Sequence, residues 1–564
     1  MIRFYRIGLV VLATAAGLSA AGPAPSLVDA VKRGDRDAVR ALLRTRVDVN
    51  KPEADGTTAL HYAVEADALD LVTQLIRAGA NAKAANRYGI QPITLAATNG
   101  RLKVIEALLE GGADPNARTE AGEPVLMTAA RTGNADAVSL LIKRGADVNA
   151  REKWFGETAL MWAASEDHPA VVKTLAAAGA DVKARSTVLE TPVLEFPRSG
   201  GPNSPFPRGG WTALMFAARE GSTASAQALA ELGADLNAVA LPETDVPLKG
   251  DELASVSKGI GTSALVFAII NSHFDLASML LDKGADPNVA DLSGEAALYA
   301  AVDMNSMQWT QGRPAPIFTD RLDAVDLVKE LLTKGANPNA RLKRAPLKRH
   351  HDAGTTLNFG EGATPLMRAA RTNDAAAMKV LLEGGADPFL TLPDRTTTLM
   401  IASGLGYGGL RGEAIRIVVP TPEGAVDAAK LLVDRGVDVN AFNTAGNTAL
   451  HGAVNRGDAV VSFLVSRGAT LFKNKAGFTP LDLAMGLGGR GGRGGVVRES
   501  AAGILRALQP AGASPVSAAP AAVPSPRPSP RPSPGPSPGP SPGPSQGASP
   551  ASPAGPSRVA QPTP

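Results

Sequence analysis

The sequence predicts an all-α solenoid, in which repeated helical units share one elongated core, and three observations lead to this prediction. A phrase of the form Gly-x-Thr-Ala-Leu…Ala-Ala, closed by Leu-Leu-x-x-Gly-Ala-Asp-x-Asn-Ala, recurs about a dozen times between Leu27 and Gln509. The glycines that open the phrase, among them Gly56, Gly89 and Gly122, recur at an interval of about 33 residues. Aromatic residues make up only 4% of the chain, whereas the small residues that closely packed helices need are abundant.

The unit that starts at Gly122 shows how each repeat is built. We expect its first helix to begin near Pro124, because a fixed φ suits the first turn, and to end at Gly133, which can take left-handed backbone. Apolar residues at helical spacing predict a second helix that ends at Gly145. The Asp and Asn of the closing phrase are turn formers that lead into the next unit. The expected inner positions of the two helices are Leu126, Ala129, Ala130, Val138, Leu141 and Ile142.

Equivalent units begin near Gly56, Gly89, Gly156, Gly210, Gly261, Gly294, Gly362, Thr396, Gly446 and Gly477. Residues 27–50 are interpreted as an N-terminal half-unit that retains only the second helix and caps the stack. Two units carry the complete phrase Thr-x-Leu-His, ending at His61 and His451. With the 33-residue interval, this signature resembles the ankyrin-repeat family, and the resemblance covers most of the chain. It implies an ankyrin-repeat solenoid of about twelve helix-turn-helix units with β-hairpin loops, which binds other macromolecules.

Insertions interrupt the repeat array, which we place at residues 22–509. Insertions in solenoids fall on one face of the stack, and this is often the binding face. Each of them is alternatively an inert surface loop, because loops lengthen at little cost in free energy. We favour a binding role for at least some of them. They lie at residues 186–208, 239–258, 305–319, 341–361, 405–424 and 486–496.

Residues 1–21 have the pattern of a secretory signal peptide. Arg3 and Arg6 precede an apolar run from Ile7 to Leu18, and small residues precede an expected cleavage after Ala21. The run is too short to span a bilayer comfortably, so we expect no stable membrane insertion after cleavage. The chain has no cysteine, which excludes disulfides and thiol chemistry and suits an oxidising compartment. These features favour the periplasm or the cell exterior.

The tail at residues 510–564 consists mainly of Pro, Ser, Ala and Gly. Because it has few apolar side chains to bury, we predict that it is disordered and acts as a stiff spacer, with a Pro-rich ligand as the alternative. Five of the arginines that contribute to the net charge of +3 lie in the leader and the tail. The repeat body is therefore slightly acidic, and we predict no general affinity for polyanions. These arginines are Arg3, Arg6, Arg527, Arg531 and Arg558.

No residue pattern predicts a catalytic centre, a cofactor or a metal site. Four of the six histidines occupy repeat positions, and only His350 and His351 lie in an insertion, where adjacent side chains diverge too much to share a metal. Their basic loop, 341–352, is interpreted as a solvated loop or a surface for an anionic partner. Gly404–Gly409 lacks the βαβ context of a dinucleotide fingerprint. The Arg-Gly segment Gly489–Gly495 has too few arginines to predict nucleic-acid binding.

The resemblance also implies where a partner binds, because ankyrin binders use their hairpin tips and the exposed ends of their first helices. Trp154 and Phe155 stand out as two large aromatics at one hairpin tip without an obvious core to fill. Alternatively, they pack against the insertion at 186–208. Our hypothesis is a concave patch centred on Tyr88, Trp154, Phe155 and Trp211. The candidate protein-binding residues are Arg87, Tyr88, Arg131, Trp154, Phe155, Glu157, Trp211 and Arg219.

The sequence therefore predicts a non-catalytic scaffold, in the periplasm or outside the cell, that holds a protein partner. One alternative is a secreted effector that engages a foreign protein, since a leader alone does not separate the two. The other is an enzyme whose site is built by the insertions, which we disfavour because no acid, base and nucleophile converge in the sequence.

Overall fold

The computed structural model describes residues 26–188, 209–240, 261–305, 308–309, 320–344, 359–406, 415–416, 422–487 and 497–508. All of them lie in the first of two compact units, Met1–Val516, and the second unit, Ser517–Pro564, lies outside the described residues. The predicted leader, the interiors of the insertions, the histidine pair at 350–351, the Arg-Gly segment and the Pro-rich tail also lie outside them.

Twenty-four helices in the described part of the chain form twelve successive pairs. The first six pairs are α1 (Leu27–Lys32) and α2 (Arg36–Arg44), α3 (Ala59–Glu65) and α4 (Leu69–Arg77), α5 (Pro92–Thr98) and α6 (Leu102–Glu110), α7 (Val125–Arg131) and α8 (Ala135–Lys143), α9 (Ala159–Ser165) and α10 (Pro169–Ala177), α11 (Ala213–Glu220) and α12 (Thr223–Glu231). The last six are α13 (Ala264–Ile270) and α14 (Phe274–Asp282), α15 (Ala297–Asn305) and α16 (Ala324–Thr333), α17 (Pro365–Thr372) and α18 (Ala375–Glu383), α19 (Thr398–Ala402) and α20 (Pro422–Val433), α21 (Ala449–Ala453) and α22 (Asp458–Ser466), α23 (Pro480–Ala484) and α24 (Glu499–Arg506).

The pairs stack in sequence order. Each first helix, from α1 to α23, contacts the first helix of the next pair, and from α4 onwards each second helix contacts the next second helix. The result is two rows of helices around one continuous apolar core, as the repeat predicted. Leu126, Ala129 and Ala130 of α7 are buried in this core, as is Leu141 of α8. Gly133 takes the expected left-handed backbone after α7, with a φ of +77°.

The predicted N-terminal half-unit is wrong, because residues 27–50 form both helices of a pair. The Ser26 side chain accepts a hydrogen bond from the backbone N–H of Asp29 at 3.1 Å, and the Asp29 carboxylate accepts one from the Ser26 hydroxyl at 2.7 Å. This reciprocal cap starts α1 without the usual Gly-x-Thr phrase. The sequence interpretation depended on that phrase and so missed a six-residue helix.

An asparagine from one pair commonly bridges to the next pair. Asn149 donates through Nδ2 to the carbonyl of Gly179 at 3.1 Å, and its Oδ1 accepts from the N–H of Asp181 at 2.8 Å. The preceding Asp147 serves its own turn by accepting from the N–H of Asn149. The predicted turn-forming role therefore describes the aspartate but not the asparagine. The same two-bond bridge is made by Asn50, Asn116, Asn288, Asn339 and Asn440.

The histidines at repeat positions also connect neighbouring pairs. His61 contacts Thr58 through Nδ1 and the carbonyl of Ile90 through Nε2 at 3.0 Å, and His451 makes the equivalent contacts. Burial lowers the pKa of both imidazoles. His168, which begins α10, reaches back to the carbonyl of Arg131 at 3.0 Å. The imidazole ring has room there because residue 133 is glycine. A Cβ at that position would come within 2.7 Å of the ring. These histidines are structural, as the repeat signature predicted.

The β structure in the described residues is slight. Isolated antiparallel bridges, such as Arg151 with Thr158, mark several of the hairpins between pairs. Strands β1 (Gln308–Trp309) and β2 (Ile415–Arg416) pair antiparallel, and they belong to the insertions of the eighth and tenth pairs. This long-range pairing was not predicted. None of the helices in the described ranges has both the length and the apolarity needed to cross a bilayer.

Candidate protein-binding face

The first helices and the hairpins that precede them form one face of the stack, which we call the first-helix face. On each first helix, the residue that follows the histidine position lies on this face. In the second to seventh pairs it is Tyr62, Leu95, Thr128, Trp162, Phe216 and Phe267. Tyr62, Leu95, Trp162 and Phe267 are partly exposed, whereas Thr128 and Phe216 are buried. Aromatic residues thus occupy this position in three consecutive pairs, the fifth to the seventh.

Trp211 brings Phe216 and Phe267 together, and Glu157 links Trp162 to them because it lies near both Trp162 and Arg219, the arginine over Trp211. Its ring lies edge-on to Phe216, with centroids 5.4 Å apart, and edge-on to Phe267 at 5.1 Å. Both distances and the inclined planes are favourable for aromatic pairs. We call Trp162, Trp211, Phe216 and Phe267 the aromatic patch. Trp162, Trp211 and Phe267 pack against the apolar core of the stack, which supports the patch.

Cationic side chains lie over the aromatic rings of this face. Arg131 lies over Trp162 and Arg219 over Trp211, each with its guanidinium carbon 5.2 Å from the ring centroid. Such contacts fix the orientation of both partners and contribute about 0.5–1 kcal/mol where they are exposed. We call the whole set the aromatic–cation row. Its five contacts are Lys32 on Tyr62, Arg87 on Tyr88, Lys153 on Trp154, Arg131 on Trp162 and Arg219 on Trp211.

Glu157 is a partly buried carboxyl beside the aromatic patch. Burial raises the pKa of Glu157 to about 7, Glu152 adds to the increase, and Arg219 and Trp162 oppose it. The indole Nε1 of Trp162 is buried and lies near this carboxyl without reaching hydrogen-bond geometry. The charge of the patch therefore changes close to neutral pH, because Glu157 gains or loses its proton there.

The hairpin tips of the third and fifth pairs carry the most exposed aromatics of the face. Tyr88 is 52% exposed, Trp154 60% and Phe155 50%. The tip at Trp154 is ordered by Glu152, whose carboxylate accepts from the N–H of Trp154 at 2.6 Å and of Glu157 at 3.1 Å. The alternative that these rings pack against the insertion at 186–208 falls mostly on residues 189–208, which lie outside the described residues. That insertion touches the tip through the backbone, since the N–H of Thr187 donates to the carbonyl of Phe155.

The predicted binding residues fall into two groups. Glu157, Trp211 and Arg219 lie together at the aromatic patch, and Arg131 reaches it through Trp162. Arg87 with Tyr88, and Trp154 with Phe155, lie at two separate hairpin tips. Trp211 is half-buried rather than free, because Phe216 and Phe267 support it.

Sequence reasoning missed three members of the aromatic patch, Trp162, Phe216 and Phe267. The signal that could have found them is their common place, one residue after the histidine position of three consecutive units. At this position Trp162 and Phe267 are partly exposed and Phe216 is buried against Trp211, so a run of aromatics there indicates an aromatic cluster at the surface.

The first-helix face changes its character at the ninth pair, where all eight residues of α17 are buried. Arg368 pairs with Asp303 at 2.6 Å, with side-chain exposures of 4% and 15%. Arg371 donates to the carbonyls of Leu405 and Gly406 at 3.0 and 2.7 Å. Other groups of the chain therefore pair with both of these arginines. No group of three His, Asp or Glu side chains suited to a metal occurs in the described ranges.

Comparison with known families agrees with this architecture. A family model described as ankyrin repeats in three copies matches residues 27–119 and 113–186. A second model, for a single ankyrin repeat, matches residues 209–240, 261–292 and 361–391. No curated protein shows significant similarity to the chain. The matched segments include both the hairpin tips and the aromatic patch.

Proposed function

Because the chain belongs to the ankyrin-repeat family, whose members generally mediate protein–protein interaction, we propose that it is a non-catalytic scaffold that binds a protein partner through its first-helix face. The observation that carries the proposal is the aromatic patch with its two stacked arginines. Trp, Tyr and Arg are the residues that dominate binding energy at protein interfaces, especially where they are held in a packed setting.

The construction of the stack supports this proposal. Asparagine bridges and buried histidines fix many of the pairs against the next, so the side chains of the face are positioned before a partner arrives. A preformed surface loses little conformational entropy on binding, which leaves more of the contact energy as affinity. The insertions are proposed to extend the contact beyond the face.

We further propose that the scaffold works in the periplasm or outside the cell. The leader pattern at residues 1–21 and the absence of cysteine support this location. Its partner is then an exported protein or, for a released scaffold, a foreign one. Fractionation separates the two, because a periplasmic scaffold is recovered by osmotic shock and a released one from the medium.

The test is affinity capture with the full mature chain from a periplasmic extract of its source, with the captured protein identified by mass spectrometry. We expect one stoichiometric partner, and we expect Trp162→Ala and Trp211→Ala each to weaken its binding about 30-fold or more, as hot-spot truncations do. Phe389→Ala is the matched control, because Phe389 is 60% exposed and lies in the turn after α18, away from the aromatic patch.

Unchanged capture by both tryptophan variants would place the partner elsewhere on the stack. Loss of binding in all three variants would indicate a general defect in folding rather than a contact.

A further inference from the structure

The aromatic–cation row contains positive charges that form no ion pair among the described residues, although Arg87 donates a hydrogen bond to the hydroxyl of Tyr88. Lys32 pairs with Glu53 at 2.6 Å, and Arg219 with Glu220 at 2.9 Å. For the other three cations, the described part of the chain offers no carboxylate within ion-pair distance. These cations are Arg87, Arg131 and Lys153, and each lies over an aromatic ring of the first-helix face.

The neighbouring carboxylates are already engaged. Glu53 accepts a hydrogen bond from the hydroxyl of Tyr62 in addition to its bond with Lys32. Glu152 caps the backbone of its own hairpin, and Glu123 accepts from the hydroxyl of Thr128 at 2.9 Å. Asp55, whose pKa Arg87 helps to lower, accepts from the N–H of Thr57, and none of these carboxylates forms an ion pair with the three cations. A carboxylate from a partner can therefore pair with these three cations without displacing an ion pair of the described residues.

Each cation is also held in place by the ring beneath it. A guanidinium that stacks on an indole keeps its edge N–H donors free for a carboxylate while its plane stays covered. Because the side chain is already ordered, pairing costs less entropy than for a free arginine. Binding a carboxylate here also brings the neighbouring apolar atoms of the ligand onto the aromatic surface.

We propose that the first-helix face binds an acidic segment of its partner, whose carboxylates pair with Arg87, Arg131 and Lys153 while adjacent apolar side chains contact the aromatic patch. This inference rests on the proposed function and adds the chemical class of the partner. Arg131 is the central contact, because it alone of the three lies directly over a ring of the aromatic patch.

Glu157 adds a dependence on pH to this contact. The groups that face it are Glu152, Arg219 and Trp162. Deprotonation of Glu157 places a negative charge beside the site and repels an acidic ligand, so binding weakens as pH rises through about 7. The bound carboxylates in turn favour the protonated form, so binding takes up a proton.

The test is a selection of random twelve-residue peptides, displayed on phage, against the full chain at pH 6. We expect the selected peptides to be rich in Asp and Glu next to aromatic or aliphatic residues. The affinity of a selected peptide should fall at least about tenfold in Arg131→Gln, the loss of one charge-assisted bond. It should be unchanged in Lys103→Gln, which removes an exposed charge from α6 on the second-helix row. Binding should weaken from pH 6 to pH 8, and Glu157→Gln should abolish that difference.

The outcomes separate this inference from the function on which it rests. Basic or uncharged peptides that still require Trp162 would overturn the acidic partner and leave the binding face in place. Peptides that bind Trp162→Ala and Arg131→Gln as tightly as the parent chain would overturn both the acidic partner and the binding face. So would a selection that yields no peptide dependent on Trp162.

Discussion

Glu157 shows, at the residue scale, how the stack imposes an unusual charge state on one side chain. Its ordinary pKa of 4.5 is raised to about 7 in the folded chain, because burial disfavours the carboxylate. The folded state therefore binds a proton more tightly than the unfolded state. The stability that this proton contributes is fully present below pH 4.5 and is lost as pH rises through about 7.

The direction of this pKa shift gives a prediction for Glu157→Gln, which removes the charge and keeps the shape of the side chain. We expect the variant to have a higher free energy of unfolding than the parent at pH 8, and the difference to shrink towards zero as pH falls to 4.5. Urea denaturation at several pH values measures it. Glu166→Gln, a change at an exposed carboxyl at the end of α9, is the control and should have little effect. Equal stability of parent and Glu157→Gln at pH 8 would contradict the prediction.

At the scale of the element, the bridging asparagine decides how firmly one pair holds the next. Other residues replace this asparagine in the second, fifth, ninth and eleventh pairs, so the two-bond bridge is absent after them. These residues are Lys83, Lys183, Phe389 and Phe472. A side chain that satisfies two backbone groups of the next turn contributes about 0.5–1.5 kcal/mol for each hydrogen bond. Local opening of the stack is therefore expected to begin at these boundaries.

Two reciprocal substitutions test this role. Asn149→Ala should lower the free energy of unfolding by about 1–3 kcal/mol, because the carbonyl of Gly179 and the N–H of Asp181 lose their partner. Lys83→Asn should raise it by about 1 kcal/mol, since it restores the bridge between the second and third pairs. Chemical denaturation measures both, with Lys83→Ala as the control for loss of the lysine. A Lys83→Asn variant no more stable than Lys83→Ala would argue against the bridge.

The elements also show how far the sequence determines the structure. The helix pairs and their order followed from local patterns, because apolar spacing and glycines act within one unit. The asparagine bridges did not, since their acceptors and donors belong to the next pair and meet them only after stacking. The pairing of Gln308–Trp309 with Ile415–Arg416 joins insertions two pairs apart in the stack, a contact that no local pattern encodes. Trp162 was missed for a similar reason, because its neighbours Glu157 and Arg131 come from a hairpin and from the preceding pair.

At the scale of the whole molecule, the described helix pairs form an array in which each pair contacts mainly its neighbours, and Arg456 of the eleventh pair also donates to the carbonyl of Arg371 in the ninth. Stability in such an array is approximately a sum of the stabilities of single units and their interfaces. The aromatic patch and the buried arginines of the ninth pair lie in different parts of the array. The binding face and the interior ion pair are thus expected to respond independently to substitution.

The buried pair of Arg368 and Asp303 tests this independence. Asp303→Ala leaves the guanidinium buried without its carboxylate, and we expect a loss of about 3–5 kcal/mol of local stability. Because coupling in the array runs mainly between nearby pairs, hydrogen exchange should quicken in α15, α17 and their second helices and stay unchanged in α3 to α10. Asp70→Ala is the control, since it breaks the exposed pair with Arg36, which water screens and which contributes little to stability. Faster exchange along the entire stack in Asp303→Ala would show instead that the array unfolds as one cooperative body, and that a distant substitution could then alter the binding face.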